Sequence, residues 1–401
     1  MRQTNKLKPG SGALLVFILT AGVFGIINTE MGVIGILPLI AEHFHVTVPE
    51  AGWTVSIFAL VVAISAPIMP LLFSGINRKK VMLLALGVFT LSNIISMLTS
   101  NFTLLLIARA LPAFLHPVYV SMAFTVAAAS VSKEKAPKAV AKVFIGVSAG
   151  MVLGVPVTSY IASEVSFTMG MMFFTVVNAL VFVATLLFVP SMPVKEKLSY
   201  GAQLNVLKKK IIWYSIMAVT LINGALFGFF SYMSDYLRTV TEVSYSVISI
   251  LLMIYGLANI TGNVIAGKQL ATNPIRSMIF IPFALFTFYI CIFILGEWLA
   301  AMTVIILILG ILAGYGQNTM QYMITEAAPE APDFANGLFL LSANLGTTVG
   351  AAACGAFITF FDTRYSVIGS LLFLAVSIVF VVLRIRTVQS SKTMKLKVVA
   401  Q

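Results

Sequence analysis

Runs of about 20 apolar residues follow one another along nearly the whole of this 401-residue chain, each long enough to cross ~30 Å of hydrocarbon as a helix. In lipid a backbone must satisfy its own hydrogen bonds, so such runs are either helices or strands of a closed barrel. Barrel strands are about 10 residues of alternating polarity. These runs are longer and apolar on every side, which excludes a barrel. Twelve spans are read, at 13–38, 50–73, 80–99, 101–128, 138–160, 167–190, 211–237, 244–266, 276–296, 298–325, 334–360 and 366–387. The ninth and tenth are expected to form a tight hairpin at 296–298. Composition agrees, with 60% hydrophobic residues, 9% charged and a mean hydropathy of +1.03. The first run exceeds a signal-peptide core and lacks a small-residue cleavage site, so it is expected to remain as the first helix.

Charge orients the expected helices. All but three of the 25 Lys and Arg fall in the terminal segments and the loops after even-numbered spans; Arg109, Arg238 and Arg364 are the exceptions. The positive-inside rule then puts both termini in the cytoplasm of a multi-pass protein in a bacterial-type inner membrane. The net charge of +12 is spread over these short loops, so it does not indicate nucleic-acid binding. Cys291 and Cys354 lie within spans, and neither a disulfide nor a metal site is expected.

The polar, basic stretch 191–210 divides the chain into two six-helix halves, 1–190 and 211–401, the second ending in a basic tail. Its loops echo each other weakly: "SGINRKK" (74–80) follows the second span and "AGKQLATNPIR" (266–276) the eighth.

Several stretches carry a resemblance: "TEMGVIGILPLIAEHFHV" (29–46), "AGWTVSIFALVVAISAPI" (51–68), "INRKKVMLL" (76–84), "RALPAFLHPVYVSM" (109–122), "LGVPV" (153–157) and "APDFANGLFLLSANLG" (331–346). Together they resemble a major facilitator superfamily efflux protein, in the bacterial drug:proton antiporter branch that includes arabinose-type sugar exporters and purine efflux pumps. The resemblance implies an all-helical membrane fold of two pseudo-symmetric bundles. A central cavity lined by spans 1, 4, 7 and 10 would open alternately to either side. It also implies export of a small organic substrate in exchange for protons, with no cofactor, by a monomer.

Residues within the spans suggest where that chemistry sits. Glu30 lies about 25 Å along the first span from the expected cytoplasmic side and Arg109 about 12 Å into the fourth from the other, at comparable depth. An acid and a base in one apolar layer are expected to pair, and an intramembrane ionisable group is a functional-site hypothesis. Glu30 is therefore expected to bind and release the driving proton, with Arg109 as counter-charge; a fixed pair joining the two helices is the plainer alternative. His116, seven residues after Arg109, returns to nearly the same helix face and would either relay protons or bond a carbonyl freed by Pro112 or Pro117. Asn223, Phe227 and Phe230 in the seventh span and Gln317, Asn318, Gln321 and Tyr322 in the tenth suit a neutral or weakly polar substrate. Any single amide, however, is more often helix glue. Tyr255, Asn259 and Asn263 form one stripe on the eighth span, read as packing.

In the fifth span, Gly146, Gly150 and Gly154, followed by Pro156, form a small-residue face of the kind that the resembling family uses as an antiporter motif. After the second span the family places an acid where this chain has Asn77, ahead of Arg78, Lys79 and Lys80. A cytoplasmic gate is expected between those cations and Glu326, Glu330 and Asp333, with Asp333 capping the eleventh span. No His–Glu metal motif, nucleophile turn or nucleotide loop is present, so the chain is read as a transporter, not an enzyme. A proton-independent facilitator and a ligand-binding sensor derived from a transporter are the alternatives.

Overall fold

A computed structural model describes residues 11–131, 136–193, 203–330 and 332–399; its described secondary structure is helical throughout. Among these residues twelve helices are long and apolar enough to span a membrane: α1 (Gly12–Phe44), α2 (Val48–Ser65), α3 (Arg78–Leu98), α4 (Phe102–Ala129), α5 (Ile145–Glu164), α6 (Phe167–Phe188), α7 (Lys210–Ser231), α8 (Tyr245–Leu270), α9 (Pro274–Leu295), α10 (Leu299–Thr325), α11 (Phe334–Phe360) and α12 (Thr363–Val388). The hairpin between α9 and α10 occurs where expected, the helices ending at Leu295 and resuming at Leu299. Of the expected linker, residues 194–202 lie outside the described part.

Several spans are not single rods. In α1 the helix runs to Met31, tightens into a 3-10 turn at Gly32–Ile36 and resumes at Leu37–Phe44, with Pro38 in its first turn. In α4 it ends at Ala113 beside Pro112 and restarts at His116, followed by Pro117. A proline inside a helix removes one backbone bond and crowds the preceding turn, which accounts for this break. The chain leaving α7 forms a separate short helix, Met233–Thr239, so the seventh span stops sooner than the expected 237.

Packing repeats with a shift of six helices. α1 packs on α5 as α7 packs on α11, α3 on α6 as α9 on α12, and α2 on α4 as α8 on α10. The two halves meet through α2 against α11 and α5 against α8, pairs related by the same shift. Glycine makes the closest of these contacts: a Cβ on Gly146 would run into the Thr20 carbonyl of α1, and one on Gly350 into the Gly224 carbonyl of α7. Between helices in lipid, where burial of apolar surface gains nothing, such close backbone approach is a principal source of attraction.

The bundle has a basic face, bearing the connections after even-numbered helices, and an opposite face. At the opposite face the halves interlock. Ser246 Oγ donates to Glu164 Oε1 at 2.6 Å, Ser234 Oγ to the Ile34 carbonyl at 3.3 Å and, deeper, Thr348 Oγ1 to the Ser56 carbonyl at 3.3 Å. The Tyr232 hydroxyl occupies a notch between Gly52 and Gly355, where a Cβ on either glycine would strike it. Toward the basic face the fit is looser: a Cβ on Gly337 of α11 would still stand 4.0 Å from Ala66 and Pro67.

Candidate functional site

The break in α1 leaves carbonyls at a helix C-terminus, where backbone acceptors lack partners and negative dipole charge collects. Arg109 of α4 supplies both hydrogen bonds and charge. Its Nη1 donates to the Thr29 carbonyl at 2.5 Å, Nη2 to the Glu30 carbonyl at 3.1 Å, and Nε to the Thr54 carbonyl of α2 at 3.2 Å. The guanidinium also lies over the Phe58 ring, 4.8 Å from its centroid. One side chain thus ties α1, α2 and α4 together, using the planar fork that distinguishes Arg from Lys. Thr29 anchors the same turn, its hydroxyl donating to the Gly25 carbonyl and accepting from Asn93 (3.1 Å) and Asn178 (2.9 Å).

The expected pairing of Glu30 with Arg109 is therefore corrected. Arg109 holds the backbone of Glu30, and no nitrogen of it comes within ion-pair distance of the carboxylate. The carboxylate turns instead to His116: Oε2 lies 3.1 Å from Nε2, within ion-pair distance though out of line for a hydrogen bond. Glu30 is 8% exposed and His116 4%. Neither imidazole nitrogen has a hydrogen-bond partner among the described residues, so the alternative in which His116 bonds a carbonyl freed by proline is not what the structure contains. Sequence depth matched the acid to the wrong base because it counts turns along each helix and ignores the breaks that rotate its parts.

Between the halves lies a small cavity. Met31 of α1 and Met151, Val152 and Val155 of α5 form one wall. Phe227 and Phe230 of α7 and Tyr255, Gly256 and Asn259 of α8 form the other. Phe230 and Tyr255 stack at 4.6 Å with 20° between their planes. Of the substrate residues proposed from sequence, only Phe227 and Phe230 reach this lining. Asn223 is occupied as helix glue, its Nδ2 donating to the Ala343 carbonyl and Thr347 of α11. Asn318 bonds Asn263 and the Gly314 carbonyl, and Gln321 lies 3.4 Å from Asn336; Gln317 and Tyr322 are half-buried and outside the lining. This small cavity lies among α1, α5, α7 and α8, and neither α4 nor α10 contributes to its lining. Tyr255 and Asn259 belong to the stripe read as packing, and their alignment with Phe230 was the available signal.

The expected gate is arranged differently too. Asn77 caps its own helix, its Oδ1 accepting from the Lys79 amide, while Nδ2 donates to Ser191 at 2.7 Å. Asn is among the best N-caps, so a local contact outcompetes a distant one. Lys79 Nζ donates to the Leu186 carbonyl, and the Arg78 amide to that of Met192. None of Arg78, Lys79 and Lys80 ion-pairs with an acid among the described residues. Glu330 pairs instead with Lys209 at 2.5 Å, which holds its carboxyl below the usual range, and Glu326 with Arg384 at 2.5 Å. The side chain of Asp333 lies outside the described residues.

Arg384, counted among the tail cations, is 2% exposed. Its Nε donates to Ser215, Nη1 contacts Met278 Sδ at 3.1 Å, and Nη2 donates to the Met323 carbonyl as well as to Glu326. Gly146, Gly150 and Gly154 all face α1, at Thr20, Ile27 and Asn28 respectively. Pro156 follows a break at Leu153.

Comparison with known proteins bears on this architecture. The Major Facilitator Superfamily profile matches residues 14–332 and 244–397. The uncharacterised MFS-type transporter YtbD of Bacillus subtilis (strain 168) is 31% identical over 355 residues, covering 87% of this chain and 89% of that protein. A probable sugar efflux transporter of Helicobacter pylori (strain P12) is 24% identical over 340 residues, covering 84% and 86%. The crystal structure of a bacterial homologue of the human lysosomal transporter Spinster, inward-facing and unoccupied, superposes with a TM-score of 0.75 at 16% identity, covering 95% of this chain and 98% of that one.

Proposed function

Because this chain belongs to the Major Facilitator Superfamily and is a membrane transporter, we propose that it exports small organic molecules across a bacterial inner membrane in exchange for protons. The observation that carries the proposal is the Glu30–His116 contact, buried and one residue from Met31 in the cavity wall.

A carboxylate beside an imidazolium is a pair held by charge; add or remove one proton and the attraction goes. That pair bridges α1 and α4 where both helices are interrupted, so its loss frees segments that an intact helix would hold rigid. The residue after Glu30 touches the cavity, so a substrate there presses on the turn bearing the acid. Substrate and proton can then each favour a different arrangement of the same turn, which is what exchange requires. Arg109 keeps out of this chemistry: bonded to three carbonyls, it holds the end of the α1 helix while the Glu30 side chain changes partner. The basic face is cytoplasmic by the positive-inside rule, which puts both termini inside. The interlocked opposite face is then external, and the structure corresponds to a form closed to the outside. Work as a monomer fits a substrate path contained between the two halves of one chain.

The test uses proteoliposomes with an imposed pH gradient and a fluorescent reporter of internal pH. Substrate addition should release protons through the wild type, while Glu30→Gln and His116→Gln should each abolish that release and retain substrate counterflow. A Glu30→Gln variant that still exchanges protons for substrate would overturn the assignment.

A further inference from the structure

A second buried acid stands apart from the Glu30 cluster. Asp235 lies on the short helix Met233–Thr239 that follows α7 and is 4% exposed. Its carboxylate forms no ion pair among the described residues and accepts one hydrogen bond from them, Thr363 Oγ1 donating to Oδ2 at 2.9 Å. The cations beside it are engaged elsewhere. Arg238, three residues on, lies over the Tyr245 ring and donates to the Val243 carbonyl. Arg364, next to Thr363, pairs with Glu297 at 2.8 Å and donates to the Phe293 carbonyl. The other charged or titratable groups at this end of the packed elements are Glu42 and His43 on Leu37–Phe44, Tyr232 after α7, Tyr245 at the start of α8, Tyr365 near Thr363, and Tyr236 on the helix itself. His43 stacks on Phe167 of α6, with 4.3 Å between ring centroids. Burial raises the Asp235 carboxyl above its ordinary value, against the smaller, lowering effect of the Thr363 bond.

The helix bearing this acid joins the halves at the external face. Ser234 donates to the Ile34 carbonyl in the 3-10 turn of α1, and the Tyr232 hydroxyl fills the notch between Gly52 and Gly355. Asp235 itself holds the 3-10 turn Thr363–Tyr365 that opens α12. Parting the halves here breaks the Ser234 and Tyr232 contacts and admits water to a carboxylate that closure removes from it. We propose that Asp235 is an external proton site, distinct from Glu30, and that filling it allows the external face to close. The proton passes from external water to a carboxylate oxygen, stays as a carboxyl O–H while the face is shut, and returns to external water when the face opens. It gates the cycle and is not carried across. The order of events rests on the exporter reading: substrate leaves through the open external face, which then closes as this proton enters.

Opening is read with a membrane-impermeant maleimide added outside intact cells, without substrate, at external pH 5 and pH 8. The target is Ser56→Cys in a chain carrying Cys291→Ala and Cys354→Ala. Ser56 is buried beneath the external contacts, its carbonyl accepting from Thr348 of α11. Each labelling rate is divided by that of the same cysteine in an Asp235→Asn chain at the same pH, which cancels the pH dependence of the thiol itself. One proton bound on closing can change the open fraction by at most about ten-fold per pH unit, and the ratio should be about three-fold or more higher at pH 8 than at pH 5. Thr363→Val keeps the acid but removes a bond that favours its ionised form in the closed state, so it should enlarge this rise. The rise should persist in His43→Gln and in Glu30→Gln. A ratio that does not move with pH, or a rise lost in either of those two variants, would overturn the inference. Should Asp235→Asn fail to reach the membrane, the Thr363→Val rate divided by that of the parent serves instead: it should be larger at pH 8 than at pH 5, and equal values would overturn the inference. Labelling needs neither substrate nor exchange, so a Glu30→Gln variant that still exchanges protons for substrate would sink the coupling assignment and leave this result standing.

Discussion

Arg109→Lys separates the geometry seen here from the simple acid–base pair expected of two charges in one membrane layer. Lysine keeps the charge but has no fork. From one ammonium position it can retain about one of the three bonds to the Thr29, Glu30 and Thr54 carbonyls and loses the contact with Phe58. Bonds from charged donors are worth about 1.5–3 kcal/mol each, so losing two costs roughly 3–6 kcal/mol. With a shift of about 2 °C per kcal/mol for a large domain, the unfolding midpoint should fall by on the order of 10 °C. Glu30→Gln leaves all three bonds in place, since they use the backbone, and loses only the attraction to His116, so the midpoint should fall less than half as far as for Arg109→Lys. Midpoints are read by size-exclusion chromatography of heated samples in one detergent. If the carboxylate were the true partner of Arg109, Glu30→Gln would destabilise nearly as much as Arg109→Lys, and equal shifts would refute the reasoning.

Four further outcomes are expected. Arg384→Ala removes a buried cation that ties α12 to Ser215, Met278, Met323 and Glu326, and should destabilise by about 3–5 kcal/mol in the same assay. Gly52→Ala and Gly355→Ala fill the notch that holds Tyr232, so each should raise maleimide labelling of a cysteine placed at Ser56 several-fold. For the half-exposed Lys209–Glu330 pair the hydrogen bond from Lys209 holds the folded carboxyl below its unfolded value, so its contribution is present at neutral pH and is lost as pH falls through the folded value. The midpoint difference between wild type and Lys209→Ala should thus be near 1 °C or less at pH 7, constant down to pH 5, and absent under stronger acid. Gly154→Leu should block assembly of α1 on α5 and abolish monodisperse expression, because Asn28 fills the space a side chain would need.

Twelve spans, their alternation and the division into halves were legible in the chain because hydrocarbon is an unforgiving solvent: length and apolarity suffice to say which segments cross it. Polarity within a span was legible for the same reason, and Glu30, Arg109 and His116 did come together in one buried cluster. Which of them touch was not. Partnership depends on rotation about each helix axis, and the interruptions at Gly32 and at Leu115 reset that rotation by amounts no residue count contains. Local competition misled the gate, where Asn77 satisfied its own helix before any distant one. Arg384 looked like one more tail cation until four groups from elsewhere in the bundle closed around it. The stripe Tyr255, Asn259 and Asn263 was plain on the page, yet its role turned on which face α10 covers. A solvent acts on every residue alike and so writes itself into sequence; a contact between two particular side chains exists only once the helices bearing them have been turned and set at their final separation.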